Sequence, residues 1–353
     1  MHVEQLPSKR WRAVVRHGGR KRTTAAFKTE REAKIAGAQL VVALDAEHGT
    51  PGRAPTSVAD VTVADVLALH RARGTFSDTY VEDFDRVVKR LPAKILRRKV
   101  VGLVPYHVVQ WWPMLAADGW TPHRVKRAHT MLSAAFRYAI PMGLARDNPF
   151  RDAPPPRVAV HEIDPPSPAR VLDLIEEADE DPCFGAFVRL IADTGARRGE
   201  ALGVRWGDVT PGERPTVTIR RSVVYTKATG VVVKDTKTGS KGRRTLVVDS
   251  STADALARWK ADQGTRLGLA GVRPEAYVFS ATGDRPRRPD WASQRWGRLT
   301  GSLGVDCRLH DLRHAVATVA LERGDNPVRV SRRLGHARTS TTLDIYGHLI
   351  AVD

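Results

Sequence analysis

Residues 194–202 of this chain read Thr-Gly-Ala-Arg-Arg-Gly-Glu-Ala-Leu, and they follow an apolar segment, Phe184 to Ile191. That segment predicts a buried helix, and Gly195 permits a sharp turn after it. A second helix is expected to begin near Arg198. The turn therefore presents Arg197 at a helix start, where its planar guanidinium can hold two phosphate oxygens.

A second basic stretch, residues 310–314, reads His-Asp-Leu-Arg-His and leads into an apolar helical run. His310 and Arg313 are three positions apart, so they project from one face of the predicted helix. Residues 334–336 then read Leu-Gly-His, and Tyr346 stands ten positions after that histidine. With the first arginine, these side chains suit covalent chemistry on a phosphodiester.

The order and spacing of these motifs resemble the tyrosine recombinase family of the phage-integrase type. The family signature is an arginine in a TGxRxxE-like box, a hairpin lysine, an HxxR box, an LGH box and a nucleophilic tyrosine. Arg197 matches the first arginine, and Glu200 matches the boxed acid. The remaining matches are His310, Arg313, His336 and Tyr346. The resemblance spans roughly residues 165 to 350.

The family lysine has three candidate positions in this sequence. Runs rich in β-branched residues between residues 217 and 248 predict strands joined by turns. The family places its lysine on such a hairpin, ahead of a turn of small residues, and Lys237 with the following Thr-Gly-Ser fits best. Lys234 and Lys241 are close enough to compete for the same role.

The resemblance implies an enzyme that cuts and rejoins duplex DNA at defined sites through a 3′-phosphotyrosyl bond. A phenol has a pKa of about 10, so Tyr346 is a poor nucleophile by itself. Arg197 and Arg313 would stabilise the negative charge that develops on the phosphate. Lys237 would protonate the departing 5′ oxygen as the general acid.

The histidines and the acid have supporting roles in the same implied mechanism. His310 would accept or share the tyrosine proton, or bond a phosphate oxygen. His336 would bond a non-bridging oxygen, and Glu200 would hold Arg197 or a nearby histidine in position. The resemblance calls for no metal and no nucleotide cofactor, and the sequence contains no Walker-type glycine loop.

The string at 310–314 also resembles the HExxH zinc motif, with His336 as a third ligand. Asp311 is one methylene shorter than the required glutamate, and Arg313 would set a cation beside the metal. A zinc hydrolase is therefore disfavoured, and His314 is interpreted as a helix-face or core histidine.

Two further classes of protein stay open at this point. A type IB topoisomerase-like enzyme would relax supercoils by the same covalent step. A non-catalytic DNA-binding regulator would keep the fold without the activity. The intact set of nucleophile and phosphate-binding groups argues against the regulator. A separate DNA-binding module expected at residues 1–50 favours integration or excision of a phage or mobile element over relaxation of supercoils.

The charge balance favours a nucleic-acid partner. Lys and Arg number 57 against 39 Asp and Glu, which gives a net charge of +18 and a pI near 10.4. This balance attracts the phosphate backbone of double-stranded DNA. Cys183 and Cys307 form no ligand pair, and no signal peptide or membrane-spanning run is present. A cytoplasmic, DNA-associated protein without a membrane partner is expected.

The expected fold is multidomain and mainly α, in four segments. Residues 1–50 predict an arm-type DNA-binding module with a small sheet, whose strands are expected at Trp11–Arg16 and Thr23–Phe27, and a helix. Residues 58–150 resemble the helical, SAM-like core-binding domain of the family. A Pro-rich linker at 151–168 leads to a mixed α+β catalytic domain at 169–353.

Clustered cations in the first two segments are candidate DNA contacts. These candidates are Arg12, Arg16, Arg20, Lys21, Arg22, Arg124, Lys126 and Arg127. The resemblance also implies that a homo-tetramer holds two duplexes while strands are exchanged in pairs. By the same analogy, a directionality factor or a DNA-bending protein is expected as an accessory partner.

Overall fold

The computed structural model describes residues 2–17, 20–48, 58–158, 165–236 and 242–347. The chain divides into two compact units, Met1–Val160 and His161–Asp353. Each unit has its own hydrophobic core: Phe136 and Phe150 lie at the centre of the first, and Phe187 and Trp259 at the centre of the second.

The first unit begins with an antiparallel sheet in the order β1-β2-β3, followed by a helix. The elements are β1 (His2–Gln5), β2 (Trp11–His17), β3 (Arg20–Thr23) and α1 (Glu30–His48). The prediction of a strand at Thr23–Phe27 is wrong, because β3 ends at Thr23. Beyond it the Ala13 N–H donates to the Thr24 hydroxyl (2.9 Å) and not to a backbone carbonyl, so the ladder with β2 stops there. Phe27 keeps a single bridge to Trp11.

The rest of the first unit is helical, as its apolar spacing predicts. The helices are α2 (Val63–Arg71), α3 (Asp78–Arg90), α4 (Ala93–Leu96), α5 (Pro105–Ala117) and α6 (Pro122–Ala139). The Thr121 hydroxyl caps α6 by accepting the Arg124 N–H (3.4 Å), and Pro122 occupies the first turn. Leu132 and Phe136 are buried, whereas Arg124 on the other face is exposed.

The second unit is a helical body with two small sheets. Its helices are α7 (Pro168–Ala178), α8 (Pro182–Thr194), α9 (Arg198–Leu202), α10 (Ser250–Arg266), α11 (Pro289–Ser302), α12 (Asp311–Glu322), α13 (Pro327–Leu334) and α14 (Ser340–Tyr346). Its strands are β4 (Val209–Thr210), β5 (Thr216–Ile219), β6 (Arg221–Thr226), β7 (Gly230–Asp235) and β8 (Arg244–Val247). Ser167 caps α7, and Pro168 occupies its first position.

The two sheets of the second unit are antiparallel, with strand orders β4-β5-β8 and β6-β7. Val217 pairs with Leu246, and Val223 pairs with Val233, which confirms strands in the β-rich runs. Strand β6 packs beside α9, and β8 packs beside α13. Among the described residues, no helix combines the length and the apolar character needed to cross a bilayer.

Candidate active site

Arg197 is held at the start of α9 by the turn that the sequence predicts. Gly195 ends α8 with a φ of 65°, and a Cβ there would lie 2.6 Å from the Leu334 side chain, so only glycine fits without a shift. The Arg197 guanidinium donates to Glu200 Oε1 (2.8 Å) and to the Gly335 carbonyl (3.3 Å). The side chain is 34% exposed, so it is fixed at two points and still open to a ligand.

A second cation, Arg244, completes the support of Glu200. Arg244 opens β8 and donates to Glu200 Oε2 (2.8 Å), to the Arg333 carbonyl (2.6 Å) and to the Gly242 carbonyl (3.1 Å). Burial acts to raise the pKa of Glu200, but the neighbouring Arg244 and Arg197 guanidiniums outweigh it, and the pKa is lowered. The carboxylate therefore stays ionised and joins α9, β8 and α13.

Arg313 is the most enclosed cation of the cluster. It lies in the first turn of α12 with 3% of the residue exposed, and its Nη1 donates to the Gly195 carbonyl (2.6 Å). Its Nη2 is buried and has no hydrogen-bond partner within the described residues. Burial, together with the positive charge of Arg197, lowers the pKa of Arg313 to about 9. An unsatisfied, buried guanidinium N–H is costly unless an anion binds to it.

His336 follows the end of α13, where Gly335 adopts a φ of 69°. Its Nδ1 lies 2.8 Å from Thr342 Oγ1, which ties the LGH box to α14. Arg333 donates to a carbonyl at the end of α8 (2.7 Å) and so holds α13 in place. Burial lowers the pKa of His336 to about 4, and the positive charge of Arg313 acts in the same direction.

Tyr346 is the last residue of α14, and only 3% of it is exposed. Its ring packs in an apolar cluster with Ala317, Leu321, Val330 and Leu334. Its hydroxyl forms a hydrogen bond with Nδ1 of His314 on α12, and the two ring centroids are 5.7 Å apart. Burial raises the pKa of Tyr346 to about 12, while the charge of Arg313 opposes the rise.

His310 precedes α12 and stands edge-on to His314, with ring centroids 5.0 Å apart. Partial burial lowers the pKa of His310 to about 4, helped by His314 and Arg313. His310 lines an open pocket of about 470 Å³ together with Arg197 and Arg198. Arg308 also lines this pocket, which is therefore basic, whereas the Tyr346 hydroxyl bonds to His314.

The structure brings five of the six predicted catalytic side chains to adjoining ends of α9, α12, α13 and α14. They are Arg197, His310, Arg313, His336 and Tyr346. Lys237 and its competitor Lys241 lie outside the described residues, so the assignment of the general acid stays a prediction. The other competitor, Lys234, lies on β7 opposite Ser222.

The predicted DNA contacts of the first unit lie on its surface. Arg12 pairs with Glu4 (2.6 Å), and Arg127 pairs with Asp83 (2.6 Å). Arg16, Lys21, Arg22, Arg124 and Lys126 are exposed. The side chain of Arg20 lies outside the described residues.

The residues of the alternative zinc motif are engaged with other groups. Asp311 accepts from the Arg308 N–H (2.7 Å) and from its guanidinium (3.0 Å). His314 Nδ1 faces the Tyr346 hydroxyl, and His336 Nδ1 faces a threonine. Across the described ranges, no three His, Cys, Asp or Glu side chains gather in a way that could hold a metal ion.

Sequence reasoning missed two residues of this cluster. Arg244 is one of many cations in a basic chain, and no local pattern marks it as buried. His314 is buried, as interpreted from the sequence, but its contact with Tyr346 was not foreseen. Its position four residues after His310 was an available signal, since residues four apart share a helix face.

Known proteins resemble this chain in sequence and in fold. The model of the phage integrase family matches residues 169–351. The ICEBs1 integrase of Bacillus subtilis strain 168 is 24% identical over 267 residues, which cover 74% of this chain and 71% of that protein. The tyrosine recombinase XerC-like protein of Caldanaerobacter subterraneus is 24% identical over 323 residues, or 82% and 80% of the two chains.

A solved structure of the Tn1549 transposon integrase in complex with transposon right end DNA shares the fold. The TM-score is 0.70 at 18% sequence identity, over 83% of this chain and 96% of that chain. The predicted fold class, mainly helical with small sheets, is thereby confirmed. The predicted enzyme class, a tyrosine recombinase acting in site-specific recombination, is confirmed as well. The family model covers more than half of the chain, and the chain belongs to the phage integrase family.

Proposed function

We propose that this protein is a site-specific recombinase that cuts and rejoins double-stranded DNA through a 3′-phosphotyrosyl intermediate, and that it integrates or excises a phage or mobile element. One observation carries the proposal. Arg197 and Arg313 are both fixed to loop carbonyls beside a buried tyrosine, and Arg313 keeps an N–H without a partner in the described part of the chain. This arrangement can stabilise the negative charge that develops on a phosphate during cleavage.

The roles of the side chains follow from their positions. The two guanidiniums would bind the non-bridging oxygens of the scissile phosphate, and His336 would bond one of these oxygens. Tyr346 Oη would attack phosphorus, and the 5′ oxygen would leave with a proton from Lys237. Glu200 and Arg244 touch Arg197 or its surroundings rather than the phosphate, so they act as positioning residues.

The energy of the broken phosphodiester would be kept in the phosphotyrosyl bond. A 5′ hydroxyl from a second strand can therefore reverse the step without a nucleotide cofactor. Exchange between two duplexes needs one active site for each of four strands, so the working assembly in this proposal is a homo-tetramer on DNA. A directionality factor or DNA-bending protein would set the outcome, and the bacterial cytoplasm would be the place of action.

The similar proteins support a recombinase over a topoisomerase-like enzyme or a non-catalytic DNA-binding regulator. Proteins named integrase or tyrosine recombinase align with most of the chain, and a neighbour in fold is an integrase bound to transposon-end DNA. A segment of residues 2–48 with a small basic sheet precedes the helical part of the first unit, which favours an arm-type module. A topoisomerase-like enzyme would relax supercoiled DNA without joining two DNA partners, and that result would contradict the proposal.

The decisive experiment uses a nicked duplex that carries the recombination site, so that the cleaved strand is lost and the covalent product is trapped. The protein should form a protein–DNA adduct that survives denaturation. Tyr346→Phe should form none, because it lacks only the attacking oxygen, while it binds the same duplex. An adduct that persists in this variant would show that another group is the nucleophile.

A further inference from the structure

The hydroxyl of Tyr346 has one partner among the described residues, and that partner is His314 Nδ1. Both residues are buried, with 3% and 8% exposed. His310 contacts the edge of the His314 ring, but it forms no hydrogen bond with the phenol in the described part of the chain. A proton that leaves Tyr346 in this enclosed place meets the imidazole of His314 before it meets water.

The surroundings of the pair keep both groups neutral at rest. Burial lowers the pKa of His314. The charge of Asp311 opposes this shift, and the charges of Arg308 and Arg313 add to it, so the imidazole is neutral at pH 7. Burial raises the pKa of Tyr346 to about 12, so the phenol keeps its proton at rest. In the His314 tautomer that carries its hydrogen on Nε2, Nδ1 accepts the phenol O–H and is placed to take the proton.

We propose that His314 is a catalytic residue, the base that takes the proton of Tyr346 when the tyrosine attacks DNA. This inference rests on the proposed function. As the Tyr346 Oη–phosphorus bond forms and the bond from phosphorus to the 5′ oxygen breaks, the phenol proton moves to Nδ1 of His314. In the rejoining step the phenolate leaves phosphorus and takes this proton back. His310, which lines the open pocket with Arg197, is left to bond the phosphate.

The test compares His314→Asn with His310→Asn in single-turnover formation of the adduct on the nicked duplex. Asn keeps a hydrogen-bonding group near the position of Nδ1 but cannot act as a base. We expect His314→Asn to slow adduct formation roughly 10²–10⁴-fold, the usual contribution of general base catalysis. Duplex binding and the thermal unfolding midpoint should stay near those of the unchanged protein, which separates loss of the base from loss of the fold.

Replacement of Tyr346 by a difluorotyrosine supplies the discriminating readout. Ring fluorines lower the phenol pKa, so a variant that lacks the base should recover most of its rate, whereas His310→Asn should not. A His314→Asn variant that cleaves at the normal rate, or faster, would overturn the proposal, as would a slow variant that fluorination fails to rescue. Absence of any adduct in the unchanged protein would instead contradict the proposed function.

Discussion

The arginines on the surface of the first unit and those clustered around Glu200 and Gly195 in the second are placed in opposite ways. In the first unit, Arg12 and Arg127 lie at the surface and are paired with carboxylates, and Arg124 is exposed on a helix. In the second unit, Arg313 is buried and the Arg244 side chain is 8% exposed, and both donate to backbone carbonyls of distant segments. Burial makes a cation costly and geometrically fixed. A buried arginine is therefore suited to one phosphate at one place, whereas exposed arginines attract any backbone and can replace one another.

The largest expected effect comes from the enclosed cation. Arg313→Ala should reduce adduct formation on the nicked duplex by roughly 10³-fold or more, in the range seen when a transition-state donor or an arginine finger is removed. Arg313→Lys should be nearly as poor, because an ammonium cannot donate both to the Gly195 carbonyl and to phosphate in the same planar geometry.

The matched control for this variant is Arg124→Ala, which removes an exposed cation from α6. It should leave the cleavage rate of the bound complex within a few-fold of normal. Equal losses of cleavage rate in the two variants would mean that a buried and an exposed arginine contribute alike to cleavage.

The second effect is on stability. Arg244→Met keeps the length of the side chain but leaves Glu200 with Arg197 alone, and Glu200 is 2% exposed. Removing one member of a buried ion pair costs about 3 kcal/mol or more. Calorimetric unfolding should show this loss, and Glu200→Gln in the same background should recover part of it, because the buried group that lost Arg244 then carries no charge. A loss below about 0.5 kcal/mol, typical of surface changes, would contradict the assignment.

The sequence predicted those parts of the site that depend on local chemistry. The turn at Gly195 and the start of α9 at Arg198 follow from the glycine and the residues beside it, and the structure has both. The burial of Arg244 was not predictable, since it depends on β8 meeting α13 across 89 positions of sequence. The contact of His314 with the phenol likewise depends on how α14 packs on α12.

The third prediction is a dependence of stability on pH. The pKa of His336 is lowered to about 4 in the fold, against about 6.5 in an unfolded chain, so the unfolded state binds more protons between these values. Its contribution to the free energy of unfolding is complete above pH about 6.5 and is lost as the pH falls toward 4. His336→Asn should flatten this part of the pH profile of unfolding. A profile with the same slope in both proteins would show that His336 titrates normally in the fold.

The smallest effect tests the surface cations against each other. Arg124 and Arg127 lie on α6, but Arg127 is bonded to Asp83 (2.6 Å), whereas Arg124 forms no ion pair within the described residues. If these cations bind phosphates, Arg124→Ala should weaken duplex binding a few-fold and lower the slope of log affinity against log salt by about 1. Arg127→Ala should change the slope less, because its charge is already partly neutralised. Titrations at several salt concentrations measure both slopes. A larger change of slope for Arg127→Ala would mean that Arg127 leaves Asp83 and binds DNA instead. An ion pair in the free protein would then say nothing about whether a cation binds DNA.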